Sequence, residues 1–144
     1  MKKILFLALC VVSTVFGANG VHRDGAKGIV IDTRTGLVWQ DDAAAASTTA
    51  TWANAITTCE NLVLGGYSDW RLPTETELST LPDYGRFYPA IDTTFVDTVM
   101  DGFYWSSSSY AAGTTSAWFV YFGEGRVHYA DKGSDRFVRC VRGN

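Results

Sequence analysis

A chain of 144 residues, 47% of them hydrophobic and 19% charged, has room for one buried core and little beyond it. The net charge is −3, and the twelve basic residues less Lys2 and Lys3 leave ten against fifteen acidic ones, a net −5 without the opening segment. That balance excludes a global pull toward nucleic acid or an anionic membrane, while the 14% of aromatic residues predicts that some rings face solvent as a contact surface.

The chain opens with Lys2 and Lys3, an apolar run over 4–12, and small residues at Gly17, Ala18 and Gly20. This layout predicts a cleaved signal peptide over 1–20 and export of the single domain 21–144 to the periplasm, the cell surface or the medium. The apolar run falls short of the roughly 20 residues a membrane crossing needs, so membrane insertion is not expected. Cys10 lies within the run rather than after it, which argues against lipid attachment. Cys59 and Cys140 remain, and an even count in an exported chain reads as one disulfide, the alternative being two buried thiols. Closing a loop of about 80 residues would stabilise the fold by about 4 kcal/mol.

Segments 28–32 (GIVID) and 36–40 (GLVWQ) read as a hairpin around Thr33-Arg34-Thr35. The small-residue stretch 43–50 fits either a loop or a frayed helix start. Trp52, Ile56, Cys59 and Val63, with Ala55 and Leu62 beside them, form a stripe at helical spacing, capped by Thr51 and ended by Gly65-Gly66. Thr74-Glu75-Thr76-Glu77 is a capping-box pattern announcing a second helix that buries Leu78 and Leu81 and stops at Pro82. Strands follow over 103–106, 117–122, 126–130 and 136–142, punctuated by Gly113, Gly123, Gly125 and Gly133. Alternation puts Trp118, Val120 and Phe122 on one face and Phe119 and Tyr121 on the other, both aromatic, so it does not choose the wet one. A bridge from Cys140 to Cys59 would pin the last strand to the first helix. The class read from these elements is α+β.

The words Thr35-Gly36-Leu37-Val38-Trp39-Gln40, Trp52-Ala53-Asn54-Ala55, Cys59-Glu60-Asn61-Leu62, Gly65-Gly66-Tyr67-Ser68-Asp69-Trp70-Arg71-Leu72-Pro73-Thr74, Glu77-Leu78, Pro89-Ala90-Ile91-Asp92, Tyr104-Trp105-Ser106-Ser107-Ser108, Ala117-Trp118 and Val138-Arg139-Cys140-Val141-Arg142 occur in this order. Together they resemble the Lcl C-terminal domain-like family, from about Gly28 to Gly143. The resemblance implies a C-type-lectin-like fold: first and last strands meeting, two helices flanking a small twisted antiparallel sheet, and a loop-rich second half presenting the ligand surface. It also implies the same disulfide, export or surface attachment, and an adhesin-like role. The collagen-like adhesin that names the family binds sulfated polysaccharides through this domain and forms trimers, so a homo-oligomer is among the assemblies implied. This chain departs from it in being net acidic and in carrying no collagen-like stalk.

Catalytic sets are incomplete. The run Ser106 to Ser109 has His128 as its one available base, His22 lies beside the expected cleavage point, and Gly66-Tyr67-Ser68-Asp69-Trp70 lacks the second glycine of a nucleophile elbow. The acidic pairs Asp41 and Asp42, Glu75 and Glu77, and Asp131 and Asp135 read as loop or capping groups rather than glycosidase pairs. Neither zinc, calcium nor any other cofactor is expected from two cysteines, two scattered histidines and no dense acidic loop. Trp39, Trp52, Trp70, Trp105 and Trp118 read as structural, and Asp69 with Arg71 as an ion pair.

Left for ligand contact are Tyr110, Phe119, Tyr121, Arg126, His128, Tyr129, Asp131 and Arg136, or else half of these rings are core. The expected function is a non-enzymatic binding module for a glycan or a surface protein. A structural or assembly subunit and a polysaccharide hydrolase are the alternatives.

Overall fold

The computed structural model describes residues 20–143, so the expected signal peptide, Gly20 apart, lies outside the described residues. Strands β1 (Val21–Asp24), β2 (Ile29–Asp32) and β3 (Leu37–Gln40) form an antiparallel meander. The expected hairpin is its β2–β3 half, with Ile29 opposite Gln40 and Asp32 opposite Leu37. The small-residue stretch resolves into a 3-10 turn, Ala43–Ala46, and the short strand β4 (Thr49–Ala50). Asp42 caps that turn through a side-chain bond from the Ala45 N–H.

Helix α1 spans Trp52–Glu60 and buries Ala55 and Cys59. It stops earlier than its apolar spacing suggests, because the Leu62 N–H turns back to the Cys59 carbonyl (3.1 Å) and the chain then closes the Leu64–Tyr67 bridge. Val63 is thereby outside the helix and 74% exposed, a correction to its place in the stripe. Thr51 begins the helix without a side-chain capping bond. Helix α2, Glu75–Leu78, has the predicted capping box: the Glu77 N–H donates to Thr74 Oγ1 (3.2 Å) and the Thr74 N–H to Glu77 Oε1 (2.9 Å). Leu78 and Leu81 are buried as expected.

The second half supplies β5 (Phe103–Ser109), β6 (Ser116–Tyr121), β7 (Arg126–Asp131), β8 (Arg136–Phe137) and β9 (Val141–Arg142). They do not join one antiparallel sheet. One sheet has the order β1-β2-β3-β9 and the other β4-β8-β5-β6-β7, in which β5 and β8 run parallel. The expected single strand 136–142 is broken because residues 138–140 bond outside both ladders. The Val138 N–H donates to the Thr48 carbonyl (3.1 Å) and the Cys140 N–H to Gln40 Oε1 (3.0 Å). The protein is thus small and mostly sheet, with two helices.

Alternation along β5 and β6 divides the core. Tyr104 and Val120 pack with Val30, Trp39, Leu78 and Phe122, while Trp105, Ala117 and Phe119 pack with Ile29, Ala55, Cys59, Trp70 and Val138. Cys59 and Cys140 are disulfide-bonded with Cα atoms 5.4 Å apart, joining α1 to the residue before β9. Of the five tryptophans, Trp39, Trp70 and Trp105 are buried and Trp52 and Trp118 half-buried.

The expected Asp69–Arg71 pair is replaced by two others. Asp69 takes Arg142 (2.6 Å) and Arg71 makes a two-pronged contact with Glu77 (2.7 and 2.8 Å), since α2 brings its third residue over the Arg71 fork.

Candidate functional site

In an antiparallel pair, residues directly opposite share a face. Phe103 lies opposite Tyr121 and Trp105 opposite Phe119, while on the other side of β6 Phe119 lies opposite His128 and Tyr121 opposite Arg126. One face therefore carries Phe103, Phe119, Tyr121, Arg126 and His128. Trp118 pairs with Tyr129 and Ser116 with Asp131, which places those residues on the reverse face. The eight residues singled out from the sequence are thus divided between two sides of one sheet.

On the first face Phe103 stacks on Tyr121 (4.7 Å, 19° between planes) and meets Phe119 edge-on at 5.5 Å. The His128 ring lies over Phe119 at 6.2 Å. Phe119 itself is only 6% exposed and belongs to the core, so its role is to support its neighbours rather than to touch a ligand. Phe103, 40% exposed, presents the open ring. The sequence reading missed it; the register of the β5–β6 hairpin, had it been fixed, would have set it beside Tyr121.

Arg136 closes this cluster from β8. Its guanidinium carbon sits 5.2 Å from the Phe103 ring centre, 5.1 Å from Phe119 and 5.9 Å from Trp105. Among the described residues the one hydrogen bond from its fork goes to the Asp135 carbonyl (3.1 Å), and its buried Nε has no partner. Among the described residues no carboxylate forms an ion pair with it, whereas Arg126 pairs with Glu124 at 2.7 Å. A cation lying on ring faces is held by their quadrupoles, with about 0.5–2 kcal/mol per contact depending on how dry it is. The guanidinium is therefore fixed in orientation while its charge stays unneutralised. A planar fork in that state is suited to a carboxylate or sulfate approaching edge-on.

Tyr121 ties the face to the preceding loop. Its ring lies across Gly123, where a Cβ would collide with the phenol, and its hydroxyl meets that of Tyr88. The Tyr88 bond, seconded by burial and by the nearby Glu124 and Asp101, pushes the Tyr121 phenol up to about 12.

The reverse face is built differently. Tyr110 and Tyr129 stack in parallel at 3.9 Å, and Trp118 sits edge-on to both (5.2 and 5.6 Å). Tyr129 is 49% exposed, and its neighbouring charge and hydrogen bond raise the Tyr110 phenol above its ordinary value. Asp131 accepts the Gly133 N–H (2.7 Å) in a turn.

Three of the four hydroxyls of the serine run are engaged: Ser106 Oγ donates to the Trp118 carbonyl, Ser108 Oγ accepts from the Glu75 N–H, and Ser109 Oγ accepts from Lys132 Nζ. Asp41 and Glu77 are held by arginines, and Glu75 by the Ser79 hydroxyl. Among the described residues no group of three or more His, Cys, Asp or Glu side chains could hold a metal ion, and no helix is long and apolar enough to cross a membrane.

Residues 28–142, which include the whole of this sheet face and the disulfide, match the Lcl C-terminal domain. The chain belongs to the Lcl C-terminal domain family. The family match begins at Gly28, so β1 lies ahead of it, while β2 through β9 and both helices fall inside. A comparison with curated proteins gives no match. Within this Lcl C-terminal domain the two aromatic faces of β6 and β7 are the candidate ligand surfaces, and the face centred on Arg136 is the one with a cation lacking a carboxylate partner.

Proposed function

We propose that this protein is an exported, non-enzymatic binding module that recognises a glycan bearing acidic groups, through the face formed by Phe103, Tyr121, His128 and Arg136. The observation that carries the reading is the state of Arg136: half-buried, seated on Phe103 and Phe119, its Nε unpartnered and its charge unpaired. An acid group on a sugar would take the fork, as charge-assisted hydrogen bonds contribute about 1.5–3 kcal/mol each. The sugar ring's C–H face would meet the electron-rich faces of Phe103 and Tyr121. Arg126 and His128 flank the same contact.

The wider features of the reading rest on the family resemblance: a C-type-lectin-like arrangement, delivery to the periplasm, cell surface or medium, and an adhesin-like role. An array of neutral, carboxylated and sulfated glycans probed with the purified protein tests it. Retention confined to the acidic glycans supports the reading; retention of none, with the protein folded, removes it.

An assembly role is favoured by a separate observation, since β7 is an edge strand whose residues Arg126, His128, Tyr129 and Asp131 are exposed. Light scattering on the purified protein distinguishes it, because a stable oligomer that hides those residues is its signature.

A further inference from the structure

On the reverse face of the sheet the rings of Tyr110 and Tyr129 lie parallel within 3°, their centres 3.9 Å apart. Aromatic pairs ordinarily settle at about 4.5–7 Å, offset or edge-on. Trp118 keeps to that habit against both rings, whereas the two phenols are pressed closer than it. Among the described residues no other two tyrosine rings stack.

The backbone imposes this stack. Tyr129 is fixed opposite Trp118 in the β6–β7 ladder. Tyr110 is fixed where β5 leaves the sheet: its N–H donates to the Ser116 carbonyl (2.9 Å) and its carbonyl accepts the Gly113 N–H (3.2 Å). A hydrogen bond between the two phenols sets the rings head to head, so the carbons beside each hydroxyl face one another. Tyr129 is 49% exposed and Tyr110 half-buried, which leaves the pair open to a dissolved oxidant. Its place in the fold matters too. The disulfide fastens α1 to the residue before β9, but β7 is the edge of its sheet and pairs with β6 alone.

We propose that Tyr110 and Tyr129 are a site of oxidative cross-linking, joined by a carbon–carbon bond when the protein meets hydrogen peroxide and a haem peroxidase. The oxidant takes one electron and the hydroxyl proton from each phenol. The two phenoxyl radicals pair to form one bond between carbons ortho to the hydroxyls. The hydrogen on each of those carbons then leaves as a proton while a proton returns to each oxygen, restoring both rings and both hydroxyls. For each cross-link the protein gives up two electrons and two protons, and one peroxide becomes two waters. Because the rings are already in contact, coupling is unimolecular, and holding reactants together in this way is a large source of rate. The product ties the edge strand β7 covalently to the connection between β5 and β6.

Treating dilute, purified protein with hydrogen peroxide and a haem peroxidase tests this. Wild type is expected to gain the blue fluorescence of dityrosine while still migrating as a monomer, to lose two hydrogens by intact mass, and to yield a linked peptide containing residues 110 and 129. Tyr129→Phe keeps the ring and its packing but forms no phenoxyl radical there. It should gain the fluorescence at least tenfold more slowly, with circular dichroism checking that it folds. Amide hydrogen exchange over residues 126–131 should be slower in the cross-linked protein than in untreated protein. An undiminished yield in Tyr129→Phe, a link mapped to other tyrosines, or cross-links found only between molecules would overturn the proposal.

Discussion

Arg139 donates to Asp41 at 3.3 Å with both side chains fully buried, and this pair fastens the loop after Asp92 to the first sheet. Asp41 also receives Arg23 (2.7 Å) and the N–H groups of Val96 and Asp97 (3.2 Å each). Arg139 reaches back to the Asp97 carbonyl (2.6 Å) and the Thr98 hydroxyl (2.7 Å). Removing one partner of a buried pair leaves the other's charge uncompensated and costs about 3–5 kcal/mol. Asp41→Ala, which strands Arg139, should lose that much in urea denaturation. Arg139→Met should lose less, because Asp41 keeps Arg23 and two amides. Equal and small losses would show that the pair does not hold the loop.

The disulfide joins positions 81 residues apart. Constraint of the unfolded chain at that length corresponds to about 4 kcal/mol on the entropic description, and the usual range for a native bridge is about 2–5 kcal/mol. A Cys59→Ala, Cys140→Ala protein should be destabilised within that range. A loss below about 1 kcal/mol would mean that the two halves are held together by their packing alone.

Glu77 illustrates how charge enters the stability of α2. Burial raises its pKa, but hydrogen bonds from Arg71 and Thr74 outweigh burial and leave the carboxyl below its ordinary value. Burial likewise raises Asp32 while Arg34 brings it down on balance, and Asp92 is lowered by the Thr94 bonds. A depressed carboxylate stabilises the fold above its unfolded value, about 4, and the contribution goes as pH falls through the lower folded value. Glu77→Gln should therefore melt a few degrees below wild type near neutrality, corresponding to about 1 kcal/mol. The two melting curves should begin to approach below about pH 4 and converge once pH has fallen through the lower folded value, where the wild-type carboxylate is also discharged. A gap that stays constant to low pH would assign the loss to shape rather than charge.

Much of the fold is legible in the chain because its signals are local or covalent. The hairpin around Thr33-Arg34-Thr35, the Thr74–Glu77 box and the pairing of two cysteines depend on a few neighbouring residues or on bond count. What failed needed tertiary information. The early end of α1 is set by a turn-back bond, and the break between β8 and β9 by bonds to the Thr48 carbonyl and the Gln40 side chain, both distant in the chain. The grouping of the candidate residues was half legible: Tyr121, His128 and Arg136 do meet through Phe103 and Phe119, but Tyr110, Tyr129 and Asp131 lie on the reverse face. Alternation along β6 could not separate them, since both of its sides are aromatic. Tyr88 sits in a loop without periodicity, and nothing in its neighbours announces the contact with Tyr121.

That contact has its own spectroscopic mark. With Tyr121 pushed up to about 12, chiefly by its bond to Tyr88, its phenol should ionise well above the ordinary tyrosine value in an ultraviolet titration. The raised value means its share of stability is complete below the unfolded value of about 10 and is lost as pH climbs through 12. Tyr88→Phe should return this phenol toward its ordinary range. A late tyrosine that persists in Tyr88→Phe would place its cause elsewhere.

The most direct test compares one residue from each face of the sheet by titrating the eight-unit oligogalacturonide and the eight-unit dextran sulfate into folded wild type, Arg136→Met and Tyr129→Ala. Loss of a charge-assisted fork contact should weaken binding of the preferred chain by about ten- to a hundredfold in Arg136→Met, while Tyr129→Ala should bind within twofold of wild type. Undiminished binding by Arg136→Met, or an equal loss in Tyr129→Ala, would contradict the assignment of ligand recognition to the face that holds Arg136.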